Sequence, residues 1–360
     1  MISNRFAFVL SLAVLFAASA SAQESKPQVD ADGAVSSPGG RFPFSAFVSP
    51  QALIQFQKIR ADGKNTPPLF GPVSASRKFY GDMNDDRAER MKKLYPVAIK
   101  SSKLDEVPVD VVSPLRDGDK TRVLINLHGG GFLWGAGSGG LVESIPVANL
   151  SKIPVISVDY RQGPEFTFPA ASEDVEKVYR ALLRTHKAQD IGIYGCSAGG
   201  VLTAETVAWI AHKNLPEPGA IGIFCAGVVD MDGDSAFVGS LLMGDVVPAE
   251  PLHLSMLPYF KGADAKDPLV MPGASSAVLA RFPPTLLISG TRDFAMSSLL
   301  RSNELLTEAG VATELHVWEG MWHSFFSDPE MPESQAAYRV MARFFDRHLG
   351  DHAAGAARKP

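Results

Sequence analysis

The sequence predicts an α/β protein: a mostly parallel, eight-stranded sheet with helices on both faces and a helical cap. Three observations carry this. From Val97 onward, short apolar runs with strand character alternate with helical patterns. Two of those runs end abruptly in glycine-rich turns, His128-Gly129-Gly130-Gly131 and Gly195-Cys196-Ser197-Ala198-Gly199-Gly200. Two stretches, 44–93 and 231–281, break the alternation and are long enough to form a lid.

The chain opens with a segment that reads as a secretory signal peptide. Residues 1–22 carry Arg5, an apolar core from Phe6 to Ala18 and the small-residue site Ala20-Ser21-Ala22. That core is too short to span a bilayer, and no cysteine follows the cleavage site to take a lipid. The expected location is secreted across the inner membrane, in the periplasm, with no stable membrane anchor. Residues 23–43 are polar and read as a flexible linker. Residues 44–93 are helix-forming, interrupted by Pro67-Pro68 and Gly71-Pro72, and are assigned to the N-terminal cap helices.

The expected core then occupies 94–230 and 282–349. Its candidate strands are Val97–Leu104, Pro108–Val112, Val123–Leu127, Val155–Val158, Ile191–Tyr194, Ala220–Cys225, Thr285–Ser289 and Thr313–Trp318. Its candidate helices begin with Pro169 to Thr185, which has proline at its start, Glu173 and Asp174 early and Arg180 and Arg184 late, as the helix dipole favours. Ala198 to His212, Ser297 to Ala309 and Pro332 to Leu349 follow. The insertion 231–281 is rich in Pro, Met and Leu, and its apolar content (Leu241, Leu254, Leu257, Tyr259 and Phe260 among others) argues for a packed helical cap. Residues 350–360 read as a disordered tail.

Composition narrows the function. With 34 Lys+Arg against 39 Asp+Glu the net charge is −5, which argues against a nucleic-acid surface. Two cysteines do not make a disulfide framework. Cys196 and Cys225 fall at comparable depths of two strands, so a single bridge and a pair of buried thiols both remain open. Oligomeric state is open as well, a homodimer included.

The two glycine turns carry the chemistry. G-x-S-x-G between a strand and a helix lifts a serine hydroxyl above the sheet. Ser197 then needs a base, held by an acid. In such elbows the acid and the histidine follow the serine in that order. Asp293 lies just after Thr285–Ser289, and His323 is the histidine on the loop after the last strand. Asp293 could equally cap the helix from Ser297; its standing comes from order and company. The expected catalytic residues are therefore Ser197, Asp293 and His323. Oxyanion donors are the backbone N–H groups of Ala198, Gly130 and Gly131, with Gly129 as a further candidate. His128 is expected to shape the glycine loop through backbone hydrogen bonds. One decoy is Gly135-Ala136-Gly137-Ser138-Gly139-Gly140, which matches the dinucleotide pattern G-x-G-x-x-G with Asp159 beyond it. Such a loop should follow its strand at once, and His128 to Trp134 intervene, so no cofactor is expected. No metal-ligand spacing occurs either.

Together these residues resemble the hormone-sensitive-lipase-type (bacterial family IV) carboxylesterases of the α/β-hydrolase fold. The similarity runs from about Phe79 to about Leu349. It includes His-Gly-Gly-Gly-Phe (128–132), Asp159-Tyr160-Arg161 with Pro164-Glu165, Phe168-Pro169-Ala170-Ala171, the serine elbow, Asp267-Pro268-Leu269, and Trp318 through His323. The resemblance implies a cap built from the N-terminal segment and an insertion, no cofactor, and a small-molecule ester substrate with a short acyl chain. Three positions depart from the family pattern: Cys196 where the elbow often has Asp, Ser298 where a second acid often follows, and Gln162-Gly163 in place of Leu-Ala. The same machinery would also serve amide, lactone or N-acyl bonds, and some relatives are non-catalytic small-molecule binders on this scaffold.

Overall fold

The computed structural model describes residues 27–31, 35–37 and 40–350. The proposed signal peptide (1–22) and all but the first residue of the proposed tail lie outside the described residues. Three short strands, β1 (Gln28–Val29), β2 (Val35–Ser37) and β3 (Gly40–Phe42), pair antiparallel. Residues 23–43, expected as a linker, thus carry a small sheet. Val35 is fully buried, and that apolar contact gives the stretch an anchor that a polar linker lacks.

Helices α1 (Pro50–Asp62) and α2 (Val73–Leu94) follow. Ser49 caps α1 through Ala52 N–H and in turn donates to Glu333, which ties the helix start to the far end of the chain. The main sheet comprises β4 (Val97–Leu104), β5 (Val107–Pro114), β6 (Val123–Leu127), β7 (Val155–Val158), β8 (Ile191–Cys196), β9 (Ala220–Phe224), β10 (Thr285–Gly290) and β11 (Thr313–Trp318). Their spatial order is β11-β10-β9-β8-β6-β7-β5-β4. β5 runs antiparallel to both its neighbours, and the other pairings are parallel. The expected eight-stranded, mostly parallel sheet is present.

β6, β8, β9 and β10 are buried along their whole length, as central parallel strands covered on both faces must be. Alternate side chains feed two cores. Ile125, Ile193, Ile223 and Leu287 face one, with α4 (Ala170–Leu183), α5 (Ala198–His212) and α8 (Met296–Glu308). Leu124, Tyr194, Phe224 and Leu286 face the other, with α3 (Ser138–Ser151) and α9 (Pro332–His348). Between β9 and β10 lie α6 (Ser235–Met243) and the one-turn α7 (Ser276–Leu279).

Two differences from the sequence reading have simple causes. Helix α3 was not anticipated: Gly139, Gly140 and Pro146 sit inside it, and they are poor helix formers that tertiary burial overrides. The 231–281 insertion is less helical than expected. Beyond α6 it runs as short turns up to the one-turn α7, because Pro248, Pro251, Pro258, Pro268 and Pro272 deny it continuous backbone bonding. It packs all the same, with Leu254, Leu257, Tyr259 and Phe260 buried in the first core. No helix among the described residues is long and apolar enough to cross a membrane.

Candidate active site

β6 and β8 are hydrogen-bonded neighbours, with Leu127 opposite Gly195. Their carboxyl ends therefore deliver the glycine loop and the serine turn side by side, at the crevice where α/β sheets bind ligands. Ser197 sits at φ +56°, a conformation L-residues adopt only under constraint. Its N–H donates to Phe224 O at 2.8 Å, which helps hold it there. A side chain at Gly199 would press its Cβ to 1.7 Å from Leu127 O, so only glycine lets α5 leave the turn this close to β6.

The structure brings the three sequence-derived residues into one hydrogen-bonded chain. The Ser197 hydroxyl lies 2.8 Å from His323 Nε2. His323 Nδ1 lies 2.7 Å from Asp293 Oδ1. Asp293 also accepts from Ala295 N–H (2.9 Å) and from the Ser289 hydroxyl (2.7 Å). Burial alone would raise the Asp293 pKa, but the His323 ring and these donors outweigh it and hold the carboxyl below its ordinary value. Phe294 stacks on the imidazole at 4.3 Å and limits its tilt.

Neighbouring Arg292 is 4% exposed and lies over the rings of Phe44 and Phe56, while donating to Leu242 O at 2.9 Å. Burial lowers its pKa to about 10. This cation clamps the N-terminal segment and α6 onto the loop that carries Asp293.

On the other side, burial pushes His128 toward the neutral form. Its Nδ1–H donates to Gly129 O at 2.8 Å, its carbonyl accepts from Tyr160 OH at 2.6 Å, and its ring stacks on Tyr160. These contacts join His128 to the glycine loop and to Tyr160. Gly129 requires a correction. Its N–H points at Glu143 Oε1 (2.9 Å), so it is already spent and leaves the set of oxyanion donors. No contact within the described residues engages the N–H of Gly130 or Gly131, and Ala198 opens α5, where first-turn N–H groups have no intrahelical partner.

Two polar residues behind the loop went unread in the sequence, Glu143 on α3 and Asn126 inside β6. Asn126 left a trace, being a polar residue within an otherwise apolar strand. The decoy loop is not at a strand end; its Gly137 N–H is tied to Asp159 Oδ1 at 2.7 Å. Cys196 and Cys225 are free, buried thiols, not a bridge. Burial raises the pKa of both. One cluster has metal-ligand character: Cys225 Sγ lies within 4.8 Å of ligand atoms of Asp293 and His323. Both residues already hydrogen-bond within the chain that runs from Asp293 through His323 to Ser197.

The site opens into a cavity of about 650 Å³ walled by Leu69, Phe79, Tyr80, Trp134, Leu252 and Phe294, within the usual range for small-molecule pockets. Its N-terminal wall is fixed to the glycine loop by Arg77 on α2, which donates to Leu133 O at 2.9 Å and forks onto Glu165 at 2.6 and 2.7 Å.

Comparison with known proteins agrees with this architecture. Residues 124–327 match the family model described as alpha/beta hydrolase fold. An acetyl-hydrolase of Streptomyces hygroscopicus is 25% identical over 243 residues, covering 67% of this chain and 80% of that one. The crystal structure of esterase E25 superposes with a TM-score of 0.74 at 30% identity, over 86% of this chain and 97% of that one. A hormone-sensitive lipase from a metagenome library does so with a TM-score of 0.71 at 25% identity, over 83% and 98%. The chain belongs to the alpha/beta hydrolase fold family, among its hormone-sensitive-lipase-type carboxylesterases.

Proposed function

We propose that the chain is a serine carboxylesterase that cleaves short-chain acyl esters through Ser197, His323 and Asp293. The unbroken hydrogen-bond chain from Ser197 to Asp293, opening into a cavity beside Gly130 and Gly131, is the observation that carries this reading. Ser197 Oγ attacks the ester carbonyl as His323 Nε2 takes its proton. The carbonyl oxygen becomes negative and accepts from the N–H groups of Gly130, Gly131 and Ala198, with the positive end of α5 behind Ala198. The intermediate collapses, the alcohol leaves with the proton from His323, and an acyl group stays on Ser197. Water, deprotonated by His323, then releases the acid. Asp293 keeps Nδ1 protonated and offsets the charge on the imidazolium.

The preference for short acyl groups rests on the likeness to an acetyl-hydrolase. Action in the periplasm rests on the signal-like segment at 1–22.

The test pairs Ser197→Ala with a 4-nitrophenyl ester series from acetate upward, a small amide panel and a fluorophosphonate label. Wild type should hydrolyse acetate and butyrate best and take up one equivalent of label. The variant should fold, resist labelling and lose nearly all turnover. Undiminished acetate hydrolysis by Ser197→Ala would refute the assignment. A wild type that folds but neither labels nor hydrolyses points instead to a binder.

A further inference from the structure

Behind the glycine loop, the Glu143 side chain reaches from the first turns of α3 to the back of the serine turn. Its Oε1 accepts the Gly129 N–H at 2.9 Å. Its Oε2 accepts from Asn126 Nδ2 at 3.0 Å. Asn126 is fully buried in β6, and its own Oδ1 accepts from the Ser157 hydroxyl of β7 at 3.3 Å. The Cys196 N–H also faces the carboxylate. Glu143 is thus bonded to the loop on one side and to the rigid centre of the sheet on the other.

The backbone of α3 is held as well. Tyr194 OH donates to Glu143 O at 3.1 Å, and Gly140 packs so close that a Cβ there would meet Ser157 Oγ. The glycine loop itself has little intrinsic preference for one conformation. Gly130 stands at φ +120° and Gly131 at φ +60°, and glycine populates many alternatives to these. The family's usual acid beside the nucleophile is Cys196 here, and its thiol turns toward Ser324 instead (2.9 Å). Glu143 brings a carboxylate to the back of the serine turn from a different element.

We propose that Glu143 is the positioning residue of the oxyanion loop: by holding the Gly129 N–H it fixes the peptide from which the Gly130 and Gly131 N–H groups are aimed at the developing oxyanion. The role rests on the serine mechanism above and adds to it. Glu143 touches no reacting atom and acts through the loop. Burial pushes its carboxyl up to about 7, so near neutral pH it carries both protonation states, and either one retains an oxygen that accepts from Gly129. What the loop requires of Glu143 is therefore an acceptor at the right reach rather than a charge.

That requirement sets the test. Glu143→Gln keeps the Gly129 acceptor and the reach, its Nε2 donating to Asn126 Oδ1 once that amide flips and gives Nδ2 to the Ser157 hydroxyl. Glu143→Asp keeps the carboxylate but is one methylene short, and Glu143→Ala removes both. For hydrolysis of 4-nitrophenyl acetate, Glu143→Gln should stay within about threefold of wild-type kcat. Asp and Ala should lose between about tenfold and 100-fold in kcat, with KM little changed, as expected for donors used mainly in the transition state. Inhibition by a trifluoromethyl ketone, which forms a tetrahedral oxyanion adduct on the serine, should weaken in the same order and by similar factors. Circular dichroism and thermal melts establish that each variant folds; if Ala does not, the contrast between Asp and Gln decides alone.

Asp and Ala within about threefold of wild type, or Gln losing as much as Ala, would overturn the role. Ser197→Ala in the same assays separates the two claims. Its loss of turnover beside unaffected Glu143 variants overturns the positioning role only, whereas its continued turnover removes the serine mechanism and this role with it.

Discussion

Asp293 accepts from three donors, and each fixes something different. Ala295 N–H and the Ser289 hydroxyl set the carboxylate plane, while His323 Nδ1 takes the remaining direction and is turned toward Ser197. Replacing Asp293 by Asn preserves size and much of this bonding but deletes the negative charge facing the imidazolium. Asp293→Asn should lower kcat by about 10⁴-fold while the protein stays folded, the size of loss seen when such a carboxylate is removed from related arrangements. Steady-state kinetics with 4-nitrophenyl acetate measures this, and a loss below tenfold would remove Asp293 from the mechanism. At this scale the sequence is legible where motif and order place a residue, as for Ser197, Asp293 and His323, which lie in one hydrogen-bonded chain. It is not legible where the role depends on an approach across the fold. Nothing in the local pattern around Glu143 says that its carboxylate meets Gly129, so the motif alone offers Gly129 as a donor although its N–H is occupied.

The elements make the same distinction. β6, β8, β9 and β10 could be read from composition because strands buried on both faces must be continuously apolar. α3 could not, since its glycines and Pro146 belong to close packing against the sheet, which has no local signature. Gly163 makes a related point about the family departures: a Cβ there would meet Tyr259 N at 2.9 Å, so the Gln162-Gly163 pair follows from how tightly the insertion crosses this loop. Two glycine substitutions test whether packing or propensity governs an element. Gly199→Ala drives a methyl into the backbone of β6 and should cost at least about 3 kcal/mol, seen as poor soluble yield or a sharply lowered melting temperature. Gly63 ends α1 at φ −57° with nothing near its Cβ position. Gly63→Ala should therefore stabilise by about 0.5 kcal/mol through reduced freedom of the unfolded chain, raising the melting temperature by about 1 °C with kcat unchanged. If Gly199→Ala melts like wild type, the close approach of α5 to β6 is not what demands the glycine.

At the scale of the whole molecule, a buried carboxyl outside the catalytic hydrogen-bond chain makes folding stability depend on pH. Glu205 on α5 is fully buried, and neither carboxyl oxygen has a hydrogen-bond partner among the described residues. Burial raises its pKa well above the ordinary carboxyl value, and the facing Ser172 hydroxyl only partly opposes this. The folded chain therefore keeps a proton that the unfolded chain gives up. Below the ordinary carboxyl pKa both states are protonated and the group costs nothing through ionisation. As pH rises past that value the unfolded state ionises alone, and stability falls by about 1.4 kcal/mol per pH unit until the raised folded value is reached. Asp293, whose pKa is lowered, contributes the opposite slope, but it is common to wild type and to a Glu205 variant and cancels in their difference. Tyr160 and Tyr259, the titratable groups that sense Glu205, have pKa values raised further by burial and stay neutral throughout this range. Glu205→Gln retains the shape and has no proton to lose. Its melting temperature relative to wild type should rise steadily from pH 5 to pH 8, with turnover unaffected. Scanning calorimetry at three pH values across that span measures the gap; a gap that stays constant would mean that Glu205 ionises alike in the folded and unfolded chains, and that burial does not control its proton.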